Sequence, residues 1–252
     1  MCLVAFSWKH DSQFPLVISA NRDEFFDRPT SALHLWEEGF YAGKDLKSGG
    51  TWMGFNPNGR WSLLTNYRDF RNIGNGQISR GKLVQNFLED TISPKKYLSE
   101  VQKDKSLYEG FNLLVSDGEE LWYYSNYGRD IQEIEPGIHG LSNGLINAEW
   151  PKIDLAKSQI RQVMEKEPLE EDLLQILKST QTYPLEMLPD TGAPKELEKA
   201  LSAQLIRSNG NYGTVSATAV LLNKNQELSI KERRFEWDYA NFKDTNAQFQ
   251  TY

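Results

Sequence analysis

The chain is 252 residues long, 39% hydrophobic and 25% charged, a balance that suits one folded domain spanning residues 1–252. Its formal net charge of −7 argues against non-specific nucleic-acid binding and against an anionic membrane surface. The single cysteine excludes an internal disulfide, and no apolar run approaches the ~18 residues that span a bilayer. With no basic leader ahead of an apolar stretch, the expected location is cytoplasmic, without a transmembrane segment.

That cysteine, Cys2, directly follows the initiator Met. Its small side chain should let aminopeptidase remove Met1, leaving a thiol and a free α-amine on one residue. Such an amine titrates near ~8, against ~10.4 for a lysine, so it can serve as a base at neutral pH. Leu3 to Trp8 reads as a strand, and Phe14 to Ala20 as a second one that returns after a short polar turn. Antiparallel pairing brings the end of the second, Asn21-Arg22-Asp23-Glu24, beside Cys2.

Residues 30–48 read as irregular. Gly49-Gly50 is either a tight turn or a close backbone approach to a ligand, and it opens a strand from Thr51 to Phe55. Asn56-Pro57-Asn58-Gly59 is a turn, and Arg60 to Asn66 a further strand. Arg68, Arg71 and Arg80 surround the next loop, where one or two of them can frame an acidic ligand. Helices are predicted from Ser79 to Ile92 and from Pro94. A hairpin around Asp117-Gly118 joins strands 111–116 and 120–125. A short extended piece ends at Ser142-Asn143. Helices follow at 150–166, 170–179 and 196–205, with a loop at 180–195 and a flexible connection at 208–211. Tyr212 to Leu222 pairs with Glu227 to Trp237, and the polar tail from Asp238 is expected to dock loosely. Antiparallel strand pairs interrupted by helix pairs indicate an α+β layered domain.

The three histidines, His10, His34 and His139, are scattered, and no metal-binding or dinucleotide motif occurs. His139, in the glycine-containing stretch Gly137-Ile138-His139-Gly140, reads as a turn residue. Ser93-Pro94-Lys95-Lys96 matches Ser-x-x-Lys, but a helix cap and first turn explain it.

Several stretches together resemble the NRDE (Transport and Golgi Organisation 2-like) family. They are Met1-Cys2-Leu3-Val4, Ser19 through Pro29 with its central Asn21-Arg22-Asp23-Glu24, Gly49 through Gly54, Leu64-Thr65-Asn66-Tyr67-Arg68, Ser79-Arg80-Gly81, Gly110 through Leu114, His139 through Asn143, and Tyr212-Gly213-Thr214. The resemblance spans nearly the whole chain in the family's order. It implies the fold of N-terminal-nucleophile hydrolases, a four-layer αββα sandwich of antiparallel sheets. It also brings links to haem trafficking, lipid metabolism and secretory organisation, without a settled reaction.

On that basis the expected catalytic set is Cys2, Asn21, Arg22, Asp23, Asn66 and Asn143. Cys2 attacks a carbonyl, its α-amine relays the proton, and Asp23 holds the amine. Arg22 tunes the cluster, and the two strand-end amides of Asn66 and Asn143 donate to an oxyanion. The cysteine-type penicillin V acylase and bile salt hydrolase group uses a comparable Cys, Arg, Asp and Asn set, although here the Arg and Asp are adjacent. The family's Tyr-Gly-Thr-Arg-Ser strand is altered as well, with Val215 in place of its arginine. Two functions from different classes follow. One is a hydrolase or acyltransferase for a non-peptide amide or ester, requiring no cofactor. The other is a carrier of haem or another hydrophobic ligand, with Trp52, Tyr67 and Arg68 as the expected ligand-binding residues.

Overall fold

Near-continuous buried runs along the central strands, such as Leu3 to Trp8 and Phe111 to Ser116, mark sheets covered on both faces there. The computed structural model describes residues 2–74, 76–207, 210–236 and 239–252. Thirteen strands are seen among them: β1 (Cys2–Trp8), β2 (Leu16–Phe25), β3 (Thr30–Leu35), β4 (Tyr41–Asp45), β5 (Met53–Phe55), β6 (Trp61–Asn66), β7 (Phe111–Ser116), β8 (Leu121–Ser125), β9 (Gln132–Glu133), β10 (Gly137–Leu141), β11 (Tyr212–Leu222), β12 (Glu227–Phe235) and β13 (Phe242–Gln250). The helices are α1 (Gly81–Glu89), α2 (Pro94–Lys103), α3 (Pro151–Val163), α4 (Glu170–Gln175) and α5 (Lys195–Ala200), with short 3₁₀ turns at 105–107 and 185–187.

The strands form two antiparallel sheets, one ordered β10-β1-β2-β11-β12-β13 and the other β3-β4-β5-β6-β7-β8-β9. Successive residues of β1 and β2 point to opposite faces. Val4, Phe6, Trp8, Leu16, Ile18 and Ala20 meet Met53, Phe55, Trp61, Leu63 and Tyr123 of the second sheet. Leu3, Ala5 and Val17 face the other way, against Ile153, Ala156 and Ile160 of α3 and Leu173 and Leu174 of α4. The outer face of the second sheet packs Leu113, Val115 and Tyr124 on Leu83, Val84 and Phe87 of α1 and Leu98 of α2. The result is the expected αββα sandwich. Each large apolar side chain buried in these layers stabilises it by about 1.5–3 kcal/mol.

Three segments differ from expectation. Residues 30–48 are not irregular but form β3 and β4, at one edge of the second sheet. They are short, and only Leu33, Phe40 and Ala42 carry a buried apolar signal, with Trp36 just beyond β3. The tail forms the nine-residue β13, paired with β12 from Phe242↔Phe235 to Gln250↔Glu227. As an edge strand it exposes polar groups on both faces, and one ring, Phe249 stacked on Tyr41 at 4.6 Å, anchors it to the neighbouring sheet. The helices expected at 170–179 and 196–205 close early, at Gln175 and Ala200. The expected connection at 208–211 and the end of the strand at Trp237 fall partly outside the described residues.

Gly49-Gly50 is a turn packed on a helix. Gly49 adopts φ +76° and donates its N–H to Asp45 O. A Cβ on Gly50 would lie 2.5 Å from the Gly81 carbonyl carbon, so glycine is what lets this strand approach the start of α1.

Candidate active site

The β1–β2 hairpin sets the site. Asp11 Oδ1 accepts the N–H groups of Gln13 and Phe14 in its turn, and the register that follows places Cys2 opposite Arg22 and Leu3 opposite Asn21. By parity Cys2 and Arg22 share the inter-sheet face with Val4 and Ala20. Asn21 and Asp23 lie on the helix-facing side with Val17 and Ser19. At the first residue of β1 a cavity of about 630 Å³ opens and reaches round the strand end. Its walls come from β2, the 66–73 segment after β6, the start of α1, and α5 with the chain beyond it.

Cys2, Arg22, Asp23, Asn66, Trp52, Tyr67 and Arg68 of the expected set all line this cavity. Burial pushes the Cys2 thiol up, the Asp23 charge pushes it the same way, and the Arg22 guanidinium pulls against both. The thiol is therefore held in its protonated form, and any nucleophilic role requires a base at hand. Arg22 is buried and lies 4.3 Å over the Trp52 ring, with Glu24 its nearest carboxylate at 3.7 Å. Asp23 is 2% exposed and accepts the Thr214 hydroxyl at 2.7 Å. Burial pushes its carboxyl up, against the charge of the chain's amino terminus first and then that of Lys152, the Thr214 hydrogen bond and the charge of Arg68. The Asn66 side-chain amide makes no hydrogen bond with another described residue and borders the cavity, so its donors are available there.

Two expected members are placed elsewhere. Asn21 is turned to the helical layer, where its amide nitrogen donates to Leu177 O at 2.8 Å and Gln204 O at 3.0 Å. It fastens the chain on either side of the 180–200 segment to the sheet. Asn143 is buried just behind the wall. Its amide nitrogen donates to Asn66 O at 2.9 Å and its backbone carbonyl accepts Arg68 N–H at 2.8 Å, an arrangement that orients Asn66 and Arg68. None of the three histidines borders the cavity. His139 is not a turn residue but a member of β10, stacked on Phe6 at 5.2 Å with both ring nitrogens hydrogen-bonded.

Tyr67 stacks on Tyr127 at 4.1 Å, forming one aromatic wall. Arg68 is ion-paired with Glu198 of α5, whose second carboxylate oxygen accepts the Thr191 hydroxyl, while the Arg68 Nε has no hydrogen-bond partner. Val215 sits at the bulge between Thr214 and Ser216, and no atom of it borders the cavity. Arg28 and Arg80 reach the outer rim, tied to Asp45 at 2.6 Å and Glu109 at 3.5 Å. No group of three or more His, Cys, Asp or Glu side chains among the described residues is arranged to hold a metal ion.

Sequence reasoning missed Lys152 and Glu198. Lys152 is 3% exposed in the first turn of α3, and its charge is coupled to Asp23, Arg68, Glu198 and Cys2. A cation in a first helical turn opposes the helix dipole, the one signal that could have marked it. Glu198 carries no local signal, because its partner lies 130 residues away.

Trp52, which supports Arg22, owes its place to a glycine. A Cβ on Gly43 would stand 2.5 Å from the far edge of the Trp52 ring. Gly43→Ala is expected to displace that ring and cost about 1–3 kcal/mol by overpacking. Urea unfolding checks this, and an unchanged midpoint would remove Gly43 from the account of the site.

Two antiparallel sheets between helical layers, with a cysteine at the first strand, define an N-terminal-nucleophile-hydrolase-like fold. Among solved structures, the chain resembles a Caenorhabditis elegans N-acylethanolamine-hydrolyzing acid amidase ortholog, with a TM-score of 0.51 at 9% identity over 87% of this chain and 92% of the other, a likeness of fold. The profile of the Transport and Golgi organisation 2 family matches residues 1–237. The chain is 30% identical over 261 residues to the Transport and Golgi organization protein 2 homolog of Bos taurus, covering 92% of each. It is 24% identical over 262 residues to Transport and Golgi organization protein 2 of Drosophila melanogaster, covering 92% and 91%. The chain belongs to this family.

Proposed function

We propose that the protein is a cysteine-type N-terminal-nucleophile hydrolase or acyltransferase acting on a non-peptide amide or ester. The observation that carries this reading is that Cys2 and the uncommitted Asn66 amide border one cavity, with the buried Asp23 carboxyl beside them. After removal of Met1, the α-amine of Cys2 takes the thiol proton. The thiolate attacks the substrate carbonyl, forming a C–S bond as the carbonyl oxygen becomes an oxyanion that receives the Asn66 amide. Collapse breaks the bond to the leaving amine or alcohol, which takes the proton back from the α-ammonium. Water, or an acceptor nucleophile, then releases the acyl group from the thioester. Asp23 accepts the amine's hydrogen bonds, and Arg22, braced on Trp52, offers a cation to the substrate.

A second reading, a non-catalytic carrier of haem or another hydrophobic ligand, draws on the cavity's mouth. Phe25 is 54% and Ile73 63% exposed there, beside the stacked Tyr67 and Tyr127. With no histidine bordering the cavity, Cys2 and the tyrosines are the side chains left to meet an iron.

The two readings separate by intact-protein mass spectrometry before and after a limiting thiol alkylator near neutral pH. The first expects loss of Met1 and single labelling at Cys2 faster than that of N-acetylcysteine, followed by turnover in an amide and ester screen. Retention of Met1, or an inert Cys2, removes the amine relay and leaves the carrier reading to haem and lipid titrations. No helix among the described residues is long and apolar enough to cross a membrane.

A further inference from the structure

Cys2 opens β1 and Asn66 closes β6, and these strands belong to different sheets, so no strand ladder fixes one residue against the other. Apolar contact between the sheets is non-directional and leaves that spacing loosely defined. A buried polar connection defines it instead. The Ser142-Asn143 dipeptide, directly after β10, is hydrogen-bonded to both strands. The Ser142 hydroxyl donates to Cys2 O at 2.9 Å, the nearer of two acceptors, with Asn143 Oδ1 at 3.4 Å. Ser142 O accepts the Thr65 hydroxyl at 2.6 Å, and Asn143 Nδ2 donates to Asn66 O at 2.9 Å. This bridge is itself held. Asn112 of β7 donates its two amide protons to Thr65 Oγ1 at 3.0 Å and Gly144 O at 2.9 Å, and its Oδ1 accepts the Tyr123 hydroxyl at 2.7 Å. Thr65, Asn112, Tyr123, Ser142 and Asn143 are all fully enclosed, and none of them carries a buried polar side-chain atom without a partner. A satisfied network of this kind is rigid, because breaking one bond strands a polar group away from water.

We propose that Ser142 is a positioning residue for Cys2: its hydroxyl ties the Cys2 peptide to the second sheet, so that the thiol and the Asn66 amide keep one spacing. This rests on the nucleophile reading above. Attack on a carbonyl needs both groups at once, the sulfur at the carbon and the amide donor at the oxygen that becomes charged. Consecutive residues supply the two fastenings, Ser142 to Cys2 and Asn143 to Asn66. The Cys2 end needs one. Cys2 is the first residue of β1, and a strand end stays ordered only where it is tied down. On one side it pairs with Arg22. On the other side the β10 ladder runs from Trp8↔Gly137 only as far as Val4↔Leu141, and Ser142 continues it with a side chain. The apolar inter-sheet core, with Val4 and Leu63, begins just behind, so an apolar filling would supply cohesion here as well. What the hydroxyl adds is direction.

The chain has a single cysteine, so protein labelled with carbon-13 at the cysteine carbonyl gives one resonance that reads this hydrogen bond directly. Ser142→Ala is expected to shift it upfield, as a carbonyl does on losing a donor. A second readout compares two reagents. p-Nitrophenyl acetate acylates Cys2: a C–S bond forms, p-nitrophenolate leaves, the thiol proton passes to the α-amine, and an oxyanion builds on the way. Iodoacetamide alkylates the same thiol by displacing iodide and builds none. Ser142→Ala is expected to slow acylation about tenfold or more while alkylation stays close to wild type. Thr65→Val removes the donor to Ser142 O and should give the same split, and Thr65→Ser should restore acylation. A Ser142 with only a structural role would lower the melting temperature and leave the ratio of the two rates unchanged. That result, or an unshifted Cys2 carbonyl, overturns the inference. If Ser142→Ala does not fold, an unchanged ratio in Thr65→Val overturns it instead. Should wild-type Cys2 react with neither reagent faster than N-acetylcysteine, the nucleophile reading fails on its own, while the carbonyl resonance still decides whether Ser142 holds Cys2.

Discussion

Replacing Cys2 with alanine is expected to lower turnover of an amide or ester substrate by about four orders of magnitude or more, because nucleophile and attached base then act as one unit and cannot be substituted piecemeal. What remains is the contribution of binding and of the oxyanion donors. The variant should fold, since Cys2 stands at the end of β1, beyond the inter-sheet core that begins at Val4. Its melting temperature and its affinity for a bound substrate or product are expected to stay close to wild type. The same variant is informative for a carrier: a hydrophobic ligand held only against the walls around Tyr67 and Tyr127 keeps its affinity in Cys2→Ala, whereas a haem whose iron meets Cys2 loses affinity. Retention of more than about one hundredth of the wild-type rate would show that another group carries the chemistry. Cys2→Ser keeps the α-amine and the geometry and tests the thiol itself.

The placement of Cys2 opposite Arg22 was readable because a short hairpin leaves little freedom of register, and the apolar residues Ile18 and Ala20 continue their parity into Arg22. The same parity assigns Asn21 to the helical layer with Val17 and Ser19, so its separation from the cleft was written in the sequence and needed only the pleat to be followed two residues further. Asn66 was legible as the last residue of a strand flanked by turn signals. Other features were not. β13 has no continuous apolar face, and it becomes a strand because β12 offers an unpaired edge and Tyr41 a partner for Phe249. Lys152 and Glu198 look like ordinary surface charges in amphipathic helices. Their burial follows from where α3 and α5 pack, which no local pattern states.

Glu198→Ala is expected to destabilise the fold by about 3–5 kcal/mol, the largest loss foreseen for any single charged side chain here, because it leaves a buried guanidinium without its partner. The carboxylate joins three segments. It receives Arg68 from the end of β6, it accepts the Thr191 hydroxyl, and it is carried by α5. Phe70 N–H donates to Thr191 O at 2.8 Å, which continues the same connection along the cavity wall. Without Glu198, Arg68 keeps only a 3.4 Å contact with Asn143 Oδ1 and the Trp150 ring at 5.2 Å, while its Nε is already unpartnered. Removing both charges with residues of similar volume, as in Arg68→Met with Glu198→Leu, should cost much less than the single change, since no isolated ion remains. Urea midpoints for the two single variants and the double variant give the coupling. A Glu198→Ala cost below about 1 kcal/mol would mean that water reaches this pair and screens it as it would on the surface. A large coupling instead makes this ion pair the fastening that holds Leu197 and Ala200 of α5 against the cavity, so its loss would loosen the site as well as the fold.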